Sequence, residues 1–161
     1  MMKTTIGRKG PGMSEAPRQQ FTYDYPRPSV TVDIALVTRG PAPQILLIRR
    51  KHDPFAGSWA LPGGFVEMNE TLEASARREL HEETGLEVGP LEQLHTFGDP
   101  GRDPRGRTIS IVYLAVVDQA QLRPRADDDA AEVGWHSLTT PPPLAFDHAE
   151  ILAHVRRRLQ G

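Results

Sequence analysis

An α/β fold with a mixed sheet is what this sequence predicts, and three observations carry the prediction. Short runs rich in β-branched and apolar residues recur along the chain, one amphipathic helix sits in the middle, and a second helix closes it. The alternation is too irregular for a Rossmann unit, and no glycine-rich phosphate loop follows a strand. At 161 residues the chain is one domain's length.

The elements follow in order. Val30–Thr38 (VTVDIALVT) is almost wholly apolar and reads as a buried strand. Arg39–Pro43 supplies a turn, and Gln44–Arg50 (QILLIRR) returns as the second arm of a hairpin. Residues 51–58 form a loop, Trp59–Leu61 a short extended piece, and Pro62–Asn69 another loop. Thr71–Thr84 is helical and stops at Gly85, where a left-handed cap is wanted. Leu91–Phe97 and Thr108–Val117 are strands flanking the loop Gly98–Arg107. Glu132–Ser137 is a short strand, Pro141–Pro143 break the chain, and Asp147–Leu159 is the last helix.

Composition narrows the function. Nineteen Lys and Arg against 21 Asp and Glu leave a net charge of −2, which argues against a nucleic-acid or polybasic membrane binder. The absence of cysteine excludes disulfides, thiolate zinc sites and a cysteine nucleophile. No apolar run approaches the roughly 18 residues of a membrane span. The start, MMKTTIGRKGPGMSEAP, lacks the apolar stretch of a secretory signal, so a cytoplasmic protein is expected. Residues 1–29 carry three glycines and four prolines and read as a partly flexible arm before a domain at 30–161, with Met13 a second possible start. Phe21, Tyr23 and Tyr25 alternate as they would in a short strand or a partner-contacting flap.

The helix after Asn69 is acidic in an unexpected place. Counting about 100° per residue from Leu72, Ala76 falls near 40° and Leu80 near 80°, while Glu79 and Glu83 fall about 20° either side of zero. Two carboxylates one turn apart on the inward face repel each other and lose solvation. A hard divalent cation with oxygen ligands is the natural compensation. Arg77 and Arg78 point away, so that at best Arg78 reaches Glu82. A solvated Glu-Glu pair is the alternative, and the surrounding pattern decides against it. Gly64, five residues, Glu70, seven residues, then Arg78-Glu79-Leu80-His81-Glu82-Glu83-Thr84-Gly85-Leu86 match the Nudix box at every specified position over 23 residues.

The chain therefore resembles the Nudix hydrolases from about Val30 to Leu159. The resemblance implies an α/β/α sandwich and a loop–helix–loop that holds Mg²⁺, or Mn²⁺, against a diphosphate. It implies Glu79 and Glu83 as principal metal ligands, Glu82 as a further or water-mediated one, and the Gly63 carbonyl as a backbone ligand. Arg78 resembles the arginine that orients these glutamates and Glu70 the one that braces the loop, while Gly64 and Gly85 serve backbone geometry. A carboxylate must also take the proton from the attacking water. It lies in the box or in Asp127-Asp128-Asp129…Glu132, where Glu132 matches a position that is often acidic; a solvated turn is the alternative for the aspartates.

Three segments resemble compact ADP-ribose pyrophosphatases: Trp59–Glu67 (WALPGGFVE), Phe97–Arg107 (FGDPGRDPRGR) and Leu144–His148 (LAFDH). The resemblance implies cleavage of ADP-ribose to AMP and ribose 5-phosphate, often in a homodimer. Another nucleotide is the alternative: an oxidised nucleoside triphosphate, a diadenosine polyphosphate or NADH. Arg102, Arg105 and Arg107 suit bidentate contact with phosphate or ribose, with Asp99 and Asp103 as ribose acceptors, unless these charges pair among themselves. Phe55, Trp59 and Phe97 are available to stack a base, with the core an equal alternative for Trp59. His81 is expected in solvent, His148 capping or packing at the last helix, and Arg156–Arg158 on a solvated or anion-tolerant face. A ligand-sensing regulator of similar sequence would continue into a winged helix, for which a chain ending at Gly161 leaves no room.

Overall fold

The computed structural model describes residues 20–127 and 129–161. Met13, most of the arm and Asp128 lie outside the described residues. Within them, β-branched side chains pleat into seven strands: β1 (Ser29–Thr38), β2 (Gln44–Arg50), β3 (Trp59–Ala60), β4 (Gly63–Phe65), β5 (Glu92–Phe97), β6 (Thr108–Val117) and β7 (Ala130–Ser137). Two helices complete the fold, α1 (Leu72–Thr84) and α2 (His148–Gln160).

The sheet is mixed, in the order β3-β2-β1-β6-β5, with β4 on β1 and β7 on β2. Its spine is the parallel pair β1–β6, in unbroken register from Ser29↔Thr108 to Thr38↔Val117. The β1–β2 hairpin forms, yet it is in register only at Val37↔Ile45. Beyond that point the two strands part, and residues 59–65 fill the gap. Ala60 pairs with Ile48 on β2, and Gly63–Phe65 pair with Thr31–Asp33 on β1.

Alternation along the strands makes two cores. Ala35, Val37, Ile45, Leu47, Val112 and Leu114 face Ile151, Leu152 and Val155 of α2. Val32, Ile34, Leu36, Leu46, Ile111 and Tyr113 face Ala76 and Leu80 of α1. A period of two sends neighbouring side chains to opposite faces, so each helix buries its stripe on its own side. The result is an α/β/α sandwich.

Four sequence expectations change. The loop expected at Pro62–Asn69 holds β4, because β1 offers its backbone there and three residues suffice to pair with it. Strand β7 begins at Ala130 rather than Glu132, and a bulge at Arg49/Arg50 accommodates the extra length. Helix α2 begins at His148 rather than Asp147, which stands at the N-cap without a side-chain cap bond. Residues Phe21, Tyr23 and Tyr25 form no strand; Phe21 and Tyr23 stack at 6.4 Å, Arg27 lies over the Tyr23 ring, and Tyr25 is exposed.

Candidate active site

The site is built where β1 and β2 part. Thr71 caps α1 by accepting from the Ala74 N–H at 3.1 Å, and Gly85 ends it at φ 68°. Between those caps Ser75, Ala76, Glu79, Leu80, Glu83 and Thr84 are buried, which is the inward face expected from the wheel. Glu79 is only 2 % exposed and Glu83 8 %.

Arg78 organises the carboxylates more widely than its wheel position predicts. It donates to Glu79 Oε1 at 2.8 Å and Glu82 Oε2 at 3.2 Å through Nη1. Its other donors go to Glu70, at 2.6 and 2.9 Å, and to the Phe65 carbonyl at 3.1 Å. A long side chain bending back toward the helix N-terminus reaches partners that Cα angles alone exclude. Glu70 in turn accepts from the Glu67 N–H at 2.7 Å, so it braces the loop as well as the arginine. The Arg78 hydrogen bonds hold the Glu70 carboxyl well below its usual range, at about 2.

Glu83 Oε2 accepts from the Gly63 N–H at 2.9 Å, which ties β4 to the end of α1. Gly63 is there because nothing larger fits. A Cβ would stand 2.2 Å from the Val32 carbonyl oxygen and 2.6 Å from Asp33 Oδ1. Gly64 pairs with Val32 inside β4.

Among the described residues no three acidic or imidazole side chains already close on a common point. The donor set nevertheless fits a hard cation. Three carboxylates, Glu70, Glu79 and Glu82, gather around one guanidinium, Glu83 follows one turn after Glu79, and Glu79 and Glu83 are buried. Oxygen ligands with that surplus of negative charge suit Mg²⁺ or Mn²⁺. Glu79, Glu82, Glu83 and the Gly63 carbonyl are the groups that would hold it.

The downstream acids are distributed differently. Glu132 is paired with Arg49 on the neighbouring strand at 2.7 Å, and both are exposed. The Asp127 N–H donates to the Glu83 carbonyl at 3.3 Å and the Arg125 N–H to that of Thr84 at 2.8 Å, so chain 125–127 lies against the end of α1.

The arginine loop satisfies itself. Arg102 forks onto Asp147 at 2.6 and 2.8 Å, and Arg105 onto Asp103 at 2.7 to 3.2 Å. Arg107 donates to the Gly98 carbonyl. Arg102 is almost wholly buried; burial pulls its pKa down, but the Asp147 bonds outweigh that and hold it above the ordinary value. Burial pushes Asp103 up, and Arg105 more than reverses it. Phe97 is 6 % exposed inside the α2-side core, edge-on to His95 and His154, so it presents no open face for a base. Trp59 packs against the same core, edge-on to His136 at 4.3 Å. His81 is exposed as expected, and Arg158 pairs with Glu92 on the surface.

Sequence reasoning missed one buried network. His148 Nδ1 accepts from the Leu61 N–H at 3.0 Å, its Nε2 lies 3.5 Å from Asp33 Oδ1, and Ser110 Oγ donates to Asp33 Oδ2. The signal was present: Asp33 is the sole charge in the apolar run VTVDIALVT.

An α/β/α sandwich whose split sheet presents a buried, arginine-braced glutamate helix defines a class of hydrolase. Residues 27–155 match the NUDIX domain, and the chain belongs to the Nudix family as a pyrophosphohydrolase. It is 44 % identical over 137 residues to an ADP-ribose pyrophosphatase of Methanocaldococcus jannaschii, covering 85 % of this chain and 78 % of that one. It is 40 % identical over 145 residues to an ADPR-responsive transcriptional repressor, NtrR, of Acinetobacter baylyi, covering 86 % of this chain but 57 % of the repressor. Among solved structures, the NUDIX domain of Shewanella oneidensis NrtR complexed with ADP ribose superposes with a TM-score of 0.77 at 33 % identity, covering 85 % of this chain and 94 % of that domain. A bifunctional NMN adenylyltransferase/ADP ribose pyrophosphatase from Francisella tularensis, complexed with AMP and a manganese ion, gives 0.75 at 34 % identity; 84 % of this chain is covered and 43 % of that one.

Proposed function

We propose that this protein hydrolyses ADP-ribose to AMP and ribose 5-phosphate with Mg²⁺ in the glutamate site. The observation that carries the chemistry is the buried Glu79–Glu83 pair, one turn apart, with Glu83 held on the Gly63 N–H. Likeness to an ADP-ribose pyrophosphatase over most of both chains supports the substrate. Nudix hydrolases use divalent metals, and such an ion supplies charge neutralisation on the diphosphate and an acidified water. The chain's own part is to hold the ligands: Arg78 keeps Glu79 and Glu82 in place, and Glu70 keeps Arg78 in place. The proton goes to a carboxylate of the box or of the downstream segment, where Glu132 on β7 and Asp127 beside the end of α1 are the candidates.

Mixing the protein with ADP-ribose and Mg²⁺ tests this directly. AMP and ribose 5-phosphate should appear, EDTA should stop the reaction, and Glu83→Gln should lower kcat at least 100-fold without changing the Tm by more than a few degrees. Failure to release AMP would remove the substrate; undiminished turnover in Glu83→Gln would remove the metal assignment. Glu132→Gln and Asp127→Asn separate the two downstream candidate bases.

A second reading has its own support. The repressor relative and the ADP-ribose-bound NrtR domain favour binding without turnover. ADP-ribose that binds and is recovered intact in the presence of Mg²⁺ would select it. A homodimer is the proposed assembly, with exposed Phe21 and Tyr25 toward the partner, and gel filtration reads it. Among the described residues no helix is long and apolar enough to cross a membrane, and the cytoplasm is the proposed compartment.

A further inference from the structure

Beside the glutamate helix sits a cluster outside the Nudix box. Phe55, at φ 62°, and Phe146, at φ 52°, are the two non-glycine residues with left-handed backbone among the described residues. Their rings pack edge to face with centroids 4.9 Å apart. That backbone is costly for a bulky side chain, and it persists where the surroundings over-determine it, most often at ligand sites.

Two guanidinium groups converge on the same ring. Arg50, at the end of β2, has its Cζ 4.9 Å from the Phe146 centroid. Arg105 lies 5.3 Å from that centroid and 4.8 Å from the ring of Phe65 on β4. The two cations differ in their partners. Arg105 is forked onto Asp103, so its charge is balanced. Arg50 donates to two carbonyls of its own loop, Pro54 at 2.8 Å and His52 at 3.4 Å, and neutral oxygens leave its charge standing. No carboxylate among the described residues comes within ion-pair distance of it. Burial, and then the Arg105 charge, pull its pKa below the ordinary arginine value, while the field of Glu83 opposes them.

A half-buried cation, held on an aromatic ring beside a second cation and within the field of a proposed metal ligand, is arranged to receive an anion. We propose that Arg50 is a substrate-binding residue that takes the phosphate oxygens of the diphosphate, on a seat made by Phe146, Phe55 and Arg105. This rests on the reading that a nucleoside diphosphate derivative is the substrate. The strained pair fixes the ring, the ring orients the guanidinium, the Pro54 carbonyl occupies Nε and the His52 carbonyl one hydrogen of Nη2, leaving Nη1 and the other Nη2 hydrogen for the ligand. Arg102 and Arg105 are then secondary as phosphate contacts, since each is forked onto a carboxylate, whereas Arg107 is exposed, donates to the Gly98 carbonyl and is not one of the two cations on the Phe146 ring.

The experiment compares wild type, Arg50→Gln and Arg50→Lys in Mg²⁺. Calorimetry with imidodiphosphate, a diphosphate that is not hydrolysed, reads the seat independently of any nucleotide; steady-state kinetics with ADP-ribose read its use. Arg50→Gln should weaken imidodiphosphate about 10- to 100-fold and raise KM for ADP-ribose by a similar factor, with kcat changed less than 5-fold. Arg50→Lys keeps the charge and should recover most of the binding. An imidodiphosphate affinity within 2-fold of wild type in Arg50→Gln would overturn the proposal. So would a lysine variant as weak as the glutamine one, because holding the loop carbonyls would then explain the loss. If wild type binds imidodiphosphate through Arg50 yet leaves ADP-ribose intact, the seat stands and the proposed substrate falls.

Discussion

His148 and Asp33 meet in the interior, with the ring Nε2 3.5 Å from the carboxylate Oδ1 and both residues buried. The other ring nitrogen accepts from the Leu61 N–H, so Nε2 carries the proton and burial keeps the imidazole neutral by lowering its pKa. One pair thus joins β1, the N-terminus of α2 and the segment that leads into Gly63. The backbone bonds Ala145 N–H to Trp59 O and Ile34 N–H to Pro62 O, both 2.8 Å, run alongside.

Replacing His148 by Leu should therefore cost stability well beyond lost packing. It leaves the Leu61 N–H and one Asp33 oxygen buried without their partner, a loss of about 2–5 kcal/mol. Asn, which returns an acceptor toward Leu61, should lose less. Urea denaturation reads both, and equal losses in the two variants would deny the Leu61 bond its role.

The Glu70–Arg78 clasp has an acid signature. Its folded pKa of about 2 lies below the reference of 4.5, so the unfolded chain binds the proton more readily. The stabilisation is complete above pH 4.5, shrinks as pH falls toward 2, and is worth up to about 3 kcal/mol. Glu70→Gln should thus be less stable than wild type at pH 7, and the gap should narrow by pH 3. A gap independent of pH would refute the clasp.

Gly63→Ala should fold but lose stability. Its Cβ would meet backbone at 2.2 Å, and the strand carrying that oxygen is the sheet's spine. Overpacking of this kind costs roughly 1–3 kcal/mol or more, and the Glu83 contact moves with it. Thermal melting should fall by several degrees; an unchanged Tm would mean that β4 stands further from β1.

Arg102 and Asp147 form a buried forked pair joining the arginine loop to α2. Removing one partner strands the other's charge, so Arg102→Met alone should cost about 3–5 kcal/mol. Adding Asp147→Leu should restore most of it. The double-mutant cycle also reports on function: KM for ADP-ribose in the double variant near wild type would place Arg102 in scaffolding rather than in substrate contact.

The glutamate helix was legible because helical periodicity is local: a fixed turn angle puts Glu79 and Glu83 among Leu72, Ala76 and Leu80 whatever surrounds them. Its ends were legible because Thr71 and Gly85 act within one turn. Strands β1, β2 and β6 were equally plain as apolar runs. Strand β4 was not, since three residues including two glycines pair only because β1 and β2 part beside them. The arginines of the 98–107 loop looked available because nothing nearby in sequence announces Asp147, whose partner Arg102 lies far along the chain.

By itself, then, the sequence determined the mixed α/β class and the acidic helix with its inward-facing glutamates, both encoded in spacing within a few residues. Tertiary structure alone decided which charges remain unbalanced. Arg102 and Arg105 are consumed by carboxylates, Glu132 is drawn to Arg49, and Arg107 and Arg50 are left with carbonyls, Arg50 on an aromatic seat. The reason is physical: whether an ionic group is satisfied depends on neighbours brought within about 4 Å by folding, and a linear pattern does not carry that distance.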